Sequence, residues 1–213
     1  MMPAMAADGA EEAQGGARVI AISERVLLER HRRGDPAAFP ALVAAFRAPV
    51  FGYLTRCGVA AADRDDLFQE VFLRVHRAAG PGSIDALPSA VAPWLFTIAV
   101  NLVRSHFRKA TVRKGTTLDA DAGLETPNRE HAADRAMEAR EQLAWVEDAI
   151  TRLPLEQREA LVLSAVEGLE LAEVAAALEA PVDTVKTRIR RARLALAEAR
   201  ARVNVRAARE QAR

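Results

Sequence analysis

Between Pro181 and Arg193 the chain reads PVDTVKTRIRRAR, a run that places five arginines and lysines around an apolar stripe. Val185, Ile189, Ala192 and Leu196 fall at i, i+4, i+7 and i+11, the spacing of one helix face. The other faces carry Lys186, Thr187, Arg188, Arg190, Arg191 and Arg193. Guanidinium groups grip guanine O6 and N7 in pairs and also bind phosphates, so this stretch offers the chemistry of duplex DNA recognition. A second set lies in APWLFTIAVNLVRSHFRKA, where Thr97, Asn101, Arg104, Ser105 and Arg108 share a face, with Phe96, His106, Phe107 and Lys109 nearby. Amide, hydroxyl and guanidinium groups beside aromatics suit a single strand, whose phosphates and unstacked bases are both accessible. A third set, Asp66, Gln69, Glu70, Arg74 and Arg77, lies along the polar side of DRDDLFQEVFLRVHRA.

Other chemistries fare worse. Asp66 and Glu70, at i and i+4, could hold a cation, and DDLFQE resembles the aspartate-rich magnesium motif of helical prenyl-transfer enzymes. No second acidic cluster on an apolar helix completes such a site. The four histidines, His31, His76, His106 and His131, lack ligand spacing, and no glycine loop suits a phosphate. Cys57 is the single cysteine, which excludes an internal disulfide and predicts an inert thiol near a helix end. Trp94, at the head of an amphipathic helix, is read as core rather than as a base-stacking platform. The chain is therefore expected to need no metal or cofactor and to be no enzyme.

The elements that position these residues are expected to be helices throughout. Half of the 213 residues are apolar and few are aromatic, with much Ala, Leu and Arg. Net charge is only +1, but it is segregated. Residues 181–213 hold 10 Lys/Arg against 3 Asp/Glu, residues 141–180 hold 2 against 9, residues 23–114 hold 14 against 8, and residues 115–140 hold 3 against 6. Such a distribution suggests basic working surfaces joined by an acidic connector.

In chain order, residues 1–18 read as a disordered extension with neither the charged start nor the apolar core of a signal peptide. A first helix runs from a Ser23 cap to about Arg33 and closes at Gly34. Asp35 then caps a helix with Pro36 in its first turn, Pro49 is expected to kink or split it, and Gly58 ends it. Asp63 caps the next helix, and residues 80–89 form a loop. The Asn101 helix follows, then a stretch from 110 to 140 without apolar rhythm. Helices resume at Glu141, break at Pro154 and close at Gly168. LELAEVAAALEA, the break at Glu179–Pro181 and the basic helix, capped by Asp183, then form a helix-turn-helix. No apolar run reaches the roughly 18–20 residues of a bilayer span, and a cytoplasmic location is expected.

Five segments in this order resemble the extracytoplasmic-function (group 4) sigma factors of the sigma-70 family: DPAAFPALV (35–43), DLFQEVFLRVHR (66–77), PWLFTIAVNLVRSHFRK (93–109), LPLEQREALVLSAVEGLELAEVAAAL (153–178) and PVDTVKTRIRRAR (181–193). The resemblance implies an all-α chain of two small helical domains on a flexible linker: region 2 over 19–112, linker over 113–140, region 4 over 141–200 and a basic tail over 201–213. It implies a factor that binds core RNA polymerase, directs it to promoters and melts the minus-10 region. It assigns Asp66, Gln69, Glu70 and Arg74 to the β′ clamp helices of the polymerase. Asn101 falls where the family reads a flipped minus-10 base, with Arg104, Arg108 and Lys109 near the backbone. Lys186, Thr187, Arg188, Arg190 and Arg191 fall at the minus-35 element, with Arg188 suited to a phosphate or a structural pair. Region 4 would also meet the β flap, and an anti-sigma factor is an expected partner. The sequence departs from the family pattern at Glu179, where a glycine is usual, and at Leu171, where an aromatic is frequent. An autonomous helix-turn-helix regulator with an N-terminal sensor or dimerisation domain is the rival reading. It accounts for 141–200 but leaves the Asn101 face idle.

Overall fold

A computed structural model describes residues 24–84, 86–114 and 144–211, and every regular element among them is α-helical. The N-terminal extension, the Ser23 cap, His131 and most of the expected linker lie outside the described residues. The helices are α1 (24–32), α2 (Ala38–Arg56), α3 (Ala61–Ala79), α4 (Val91–Lys114), α5 (144–151), α6 (Leu155–Ala165), α7 (Leu171–Leu178) and α8 (Val182–Gln211).

The first four helices bury one stripe each. In α2 it is Leu42, Phe46, Val50, Tyr53 and Leu54; in α3 it is Phe68, Val71, Phe72, Val75 and Ala79. These meet Leu95, Phe96, Ala99 and Val103 of α4, where Tyr53 meets Phe96 edge-on at 5.6 Å between ring centroids. Trp94 is half-buried against this core, as its place in the sequence suggests. By length and mean hydropathy alone α2 could cross a bilayer, a feature the sequence reading passed over. Its stripe instead fills the centre of the bundle.

Several boundaries differ from those expected. Pro49 neither splits nor ends α2, which continues to Arg56. Proline removes one hydrogen bond from the ladder, and the buried Phe46 and Val50 on either side hold the helix together. Gly58, at φ +82°, does end it: the Val59 amide donates to the Leu54 carbonyl at 3.1 Å. Asp35 caps a turn ahead of α2, accepting from the Ala37 amide at 2.9 Å, and the helix proper starts at Ala38. Asp63 and Asp183 are not caps, because α3 starts at Ala61 and α8 at Val182. Both acids sit inside the first turn, where the dipole still favours them. Helix α4 runs through Lys114, beyond the end read from the loss of apolar rhythm at 110, and α8 runs through Gln211. Amphipathic spacing marks where a helix is buried, not where its backbone stops.

Helices α5 to α8 form the second unit, with α7 and α8 as the helix-turn-helix. Glu179 occupies the turn at φ 51°, ψ 45°, so a glutamate adopts the left-handed conformation for which glycine is the usual choice. The two units are in contact: α7 lies on α4 and α6 on α2, and their apolar residues form one continuous core.

Candidate nucleic-acid interface

Along α8, Val185, Ile189 and Ala192 are buried against α6 and α7, which turns the basic positions outward. Lys186, Arg190, Arg191 and Arg193 are exposed. Lys186 is held by Asp183 at 3.1 Å, and the Thr187 hydroxyl donates to the Asp183 carbonyl at 2.9 Å. Arg188 departs from the others. It is turned onto Glu156 of α6 at 2.6 Å with 19% of its side chain exposed, so it braces α8 against α6 and does not stand with the exposed set. Of the two roles open to Arg188 in the sequence, the structural pair is the one adopted.

Helix α4 presents Asn101, Arg108 and Lys109 as exposed groups on the surface opposite its core stripe. Arg104 is again the exception. Its Nε donates to Glu159 Oε2 at 3.1 Å, one terminal nitrogen to the same oxygen at 2.9 Å, and the other to the Leu178 carbonyl at 3.2 Å. Glu159 is fully buried, and a carboxylate withdrawn from water needs such a partner. Burial pushes the Glu159 carboxyl upward, while the bonds from Arg104 and the charge of Arg188 pull it down. Asn101 Nδ2 lies 3.5 Å from Glu179 Oε1, at the limit of a hydrogen bond. Three of the four residues expected at the minus-10 strand are therefore presented together, and the fourth is committed to the neighbouring unit.

On α3, Asp66, Gln69 and Arg74 are exposed and lie with Glu70 along one side. A hydrogen bond from Arg74, 2.9 Å long, holds the Glu70 carboxyl below the usual carboxylate range. Among the described residues no group of three or more histidines, cysteines or acids could hold a metal. Cys57 is buried, and burial pushes its thiol up to about 12, so at neutral pH it is a protonated, unreactive group.

Two residues between the units escaped the sequence reading. Arg158 reaches across from α6, donating to the Cys57 carbonyl at the end of α2 at 2.5 Å and to the Leu153 carbonyl at 2.7 Å, with a further bond to the Thr151 carbonyl. One guanidinium thus satisfies orphan carbonyls at two helix C-termini, where a cation also suits the dipole. Glu159 is its neighbour. A signal for Glu159 was present: Leu155, Glu159 and Val162 fall at i, i+4 and i+7, which puts an acid into an apolar stripe. Nothing in the local sequence pointed to its partner 55 residues away.

Comparison with known proteins agrees with this division. Residues 42–113 match Sigma-70 region 2, and residues 143–196 match Sigma-70, region 4. The chain is similar to the RNA polymerase sigma-H factor of Pseudomonas aeruginosa, at 34% identity over 182 residues covering 83% of this chain and 93% of that protein. It is similar to the ECF RNA polymerase sigma-E factor of Escherichia coli strain K12, at 33% identity over 183 residues, covering 82% of this chain and 93% of the relative. Among solved structures, CnrH in complex with the cytosolic domain of CnrY superposes with a TM-score of 0.59 at 28% identity, covering 83% of this chain and 96% of that one. The sigma factor RpoE of Bartonella quintana, solved with the anti-sigma factor NepR, shares the fold at a TM-score of 0.55 and 22% identity, over 75% of this chain and 94% of that one.

Proposed function

The chain belongs to the sigma-70 family as an extracytoplasmic-function sigma factor, a non-enzymatic RNA polymerase subunit that initiates transcription, and from that premise we propose how its side chains divide the work. Residues 19–112 act as region 2 and 141–200 as region 4. Asp66, Gln69, Glu70 and Arg74 on α3 contact the clamp helices of core polymerase. A face of mixed charge with an amide suits a coiled-coil partner through hydrogen bonds more than through apolar burial. Asn101 takes a flipped minus-10 base by its Watson–Crick edge, and Arg104, Arg108 and Lys109 hold the strand's phosphates. Lys186, Thr187, Arg190 and Arg191 meet the minus-35 duplex, with Arg188 keeping α8 in place through Glu156. The site of action is the cytoplasm. CnrH is solved in a complex with the cytosolic domain of CnrY, and the proposed partner of this chain is an anti-sigma factor.

The observation that supports this reading most is the pair of polar faces set opposite two core stripes: Asn101, Arg108 and Lys109 on α4, and Lys186, Arg190 and Arg191 on α8. A duplex-binding regulator would use only the second. The test is reconstitution with core polymerase and promoter DNA. Asp66→Ala and Glu70→Ala are expected to weaken core binding. Arg190→Ala or Arg191→Ala should leave core binding intact and lose about 1–3 kcal/mol of minus-35 discrimination. Core binding unchanged by both α3 substitutions would refute the polymerase contact, and specific duplex binding without core enzyme would favour the regulator.

A further inference from the structure

Helix α8 is twice as long as the part of it that matches region 4: the match stops at residue 196 and the helix runs on to Gln211. Residues 201–213 carry four arginines against one acid, Glu210. Positions 202, 206 and 209 of that stretch are arginines at i, i+4 and i+7, one side of a helix. Arg191 precedes Arg202 by 11 residues, three turns, and so lies on the same side; both are exposed. Glu198 is the one acid along that side. The stripe thus continues the basic surface to which Arg191 belongs.

The direction of this second half is set by α5. The Arg200 guanidinium lies over the Trp145 ring at 5.0 Å, and Leu196 and Ala199 are half-buried on the same side of the helix. Arg200 therefore serves the fold, while Arg202 is exposed. The helix dipole also favours cations near a C-terminus, but that effect falls off within the last turn. Arg202 and Arg206 lie more than one turn before Gln211, so the dipole does not account for them.

We propose that the second half of α8 is a backbone-contact arm, in which Arg202, Arg206 and Arg209 hold phosphates of the duplex beside the minus-35 element. The proposal rests on the reading of Lys186, Arg190 and Arg191 as the groups that meet that element. A helix whose N-terminal residues enter the major groove leaves it along its own axis, and its C-terminal part then meets the flanking backbone, as in homeodomains. From Arg191 to Arg209 the rise is about 27 Å, against a groove about 12 Å wide. The arm is therefore outside the groove, where phosphates and not base edges are within reach. Contacts of that kind fix position and supply affinity without sequence preference.

The test uses holoenzyme reconstituted from the full-length chain and core polymerase. The probes are the promoter duplex on which that enzyme initiates, fluorescently labelled, and the same duplex with its minus-35 element scrambled. The triple variant Arg202→Gln, Arg206→Gln, Arg209→Gln keeps helix propensity and removes three charges. Its plot of log affinity against log salt is expected to be shallower by about 2.7, so its deficit against wild type shrinks by about fortyfold between about 50 and 200 mM salt. The loss should be equal on both probes, leaving minus-35 discrimination unchanged. Arg202→Lys, Arg206→Lys and Arg209→Lys together keep the charge and should keep the slope. Lysines that lose the slope as the glutamines do overturn the arm, because a loss independent of charge is a change in fold. Arg190→Ala separates the arm from the reading beneath it. If Arg190→Ala lowers discrimination while the glutamine variant keeps the wild-type slope, the arm is overturned and the placement of α8 on the minus-35 duplex stands. If neither has an effect, that placement falls as well. A glutamine variant that weakens assembly with core polymerase at an unchanged DNA slope assigns the stripe to an acidic protein surface, which also overturns the proposal.

Discussion

Whether the two units touch in solution can be decided from one pair of residues, Gly58 at the end of α2 and Arg158 of α6. Arg158→Ala deprives three carbonyls, those of Cys57, Thr151 and Leu153, of their donor. Each buried acceptor left without a partner costs about 1–3 kcal/mol, but water reaches some of them once the side chain is shortened. Removing a largely buried cation, whose proton affinity burial already lowers, recovers part of the loss. A net destabilisation of about 3 kcal/mol follows, or a fall in Tm of about 6–12 °C for a chain of this size. Gly58→Ala carries two penalties. Its φ of +82° costs an L-residue about 1–2 kcal/mol, and the new methyl meets the Arg158 guanidinium at 2.6 Å. The first survives in an Arg158→Ala background and the second does not. The double variant should therefore be about 1 kcal/mol less destabilised than the sum of the two single effects, measured by urea unfolding of all four proteins. Additive effects within about 0.3 kcal/mol would mean that the two units do not meet at this point.

Two further outcomes follow from the same interface and the turn beside it. Burial pushes the Glu167 carboxyl up to about 7, partly offset by Arg56, against an ordinary value of 4.5. The folded chain therefore holds this proton more tightly than the unfolded one. Its contribution is full below about pH 4.5 and is lost as pH rises through 7, a loss of about 2 kcal/mol once residual solvent screening is discounted. His31 acts in the opposite sense below its ordinary 6.5, because burial beside His76 lowers its proton affinity. The measurement is therefore the difference in unfolding free energy between wild type and Glu167→Gln from pH 4.5 to 8; a flat difference contradicts the burial of Glu167. Glu179→Gly should raise stability by up to about 1 kcal/mol, since glycine adopts φ 51° without a Cβ penalty, although part of that gain is returned to the entropy of the unfolded chain. A thermal melt showing destabilisation beyond about 1 kcal/mol would mean that the Glu179 side chain contributes more to the contact with Asn101 than its 3.5 Å distance suggests.

Most of the fold was legible because helices announce themselves locally. The stripes of α2, α3, α4 and α8, and the glycines that end α2 and the turn before α7, lie within a few residues of the backbone they control. Where local rules competed, the sequence misled. Pro49 is a helix breaker in isolation but sits between two core residues, and tertiary burial outweighs one missing hydrogen bond. Asp63 and Asp183 are good caps by type, yet the apolar and small residues ahead of them, Ala61 and Val182, extend the helices past them.

The polar faces of α4 and α8 were determined by sequence alone, since a side chain opposite a core stripe has nowhere to point but outward. That covers Asn101, Arg108, Lys109, Lys186, Arg190 and Arg191. The partners of Arg104, Arg158 and Arg188 belong to tertiary structure. A charge is indifferent to sequence distance and answers to whichever oppositely charged or carbonyl group the packed chain brings within about 3 Å and shields from water. The same arginine reads as a DNA contact while the two units are considered apart. It becomes half of an ion pair once α7 settles on α4, because only that packing buries Glu159 beside it.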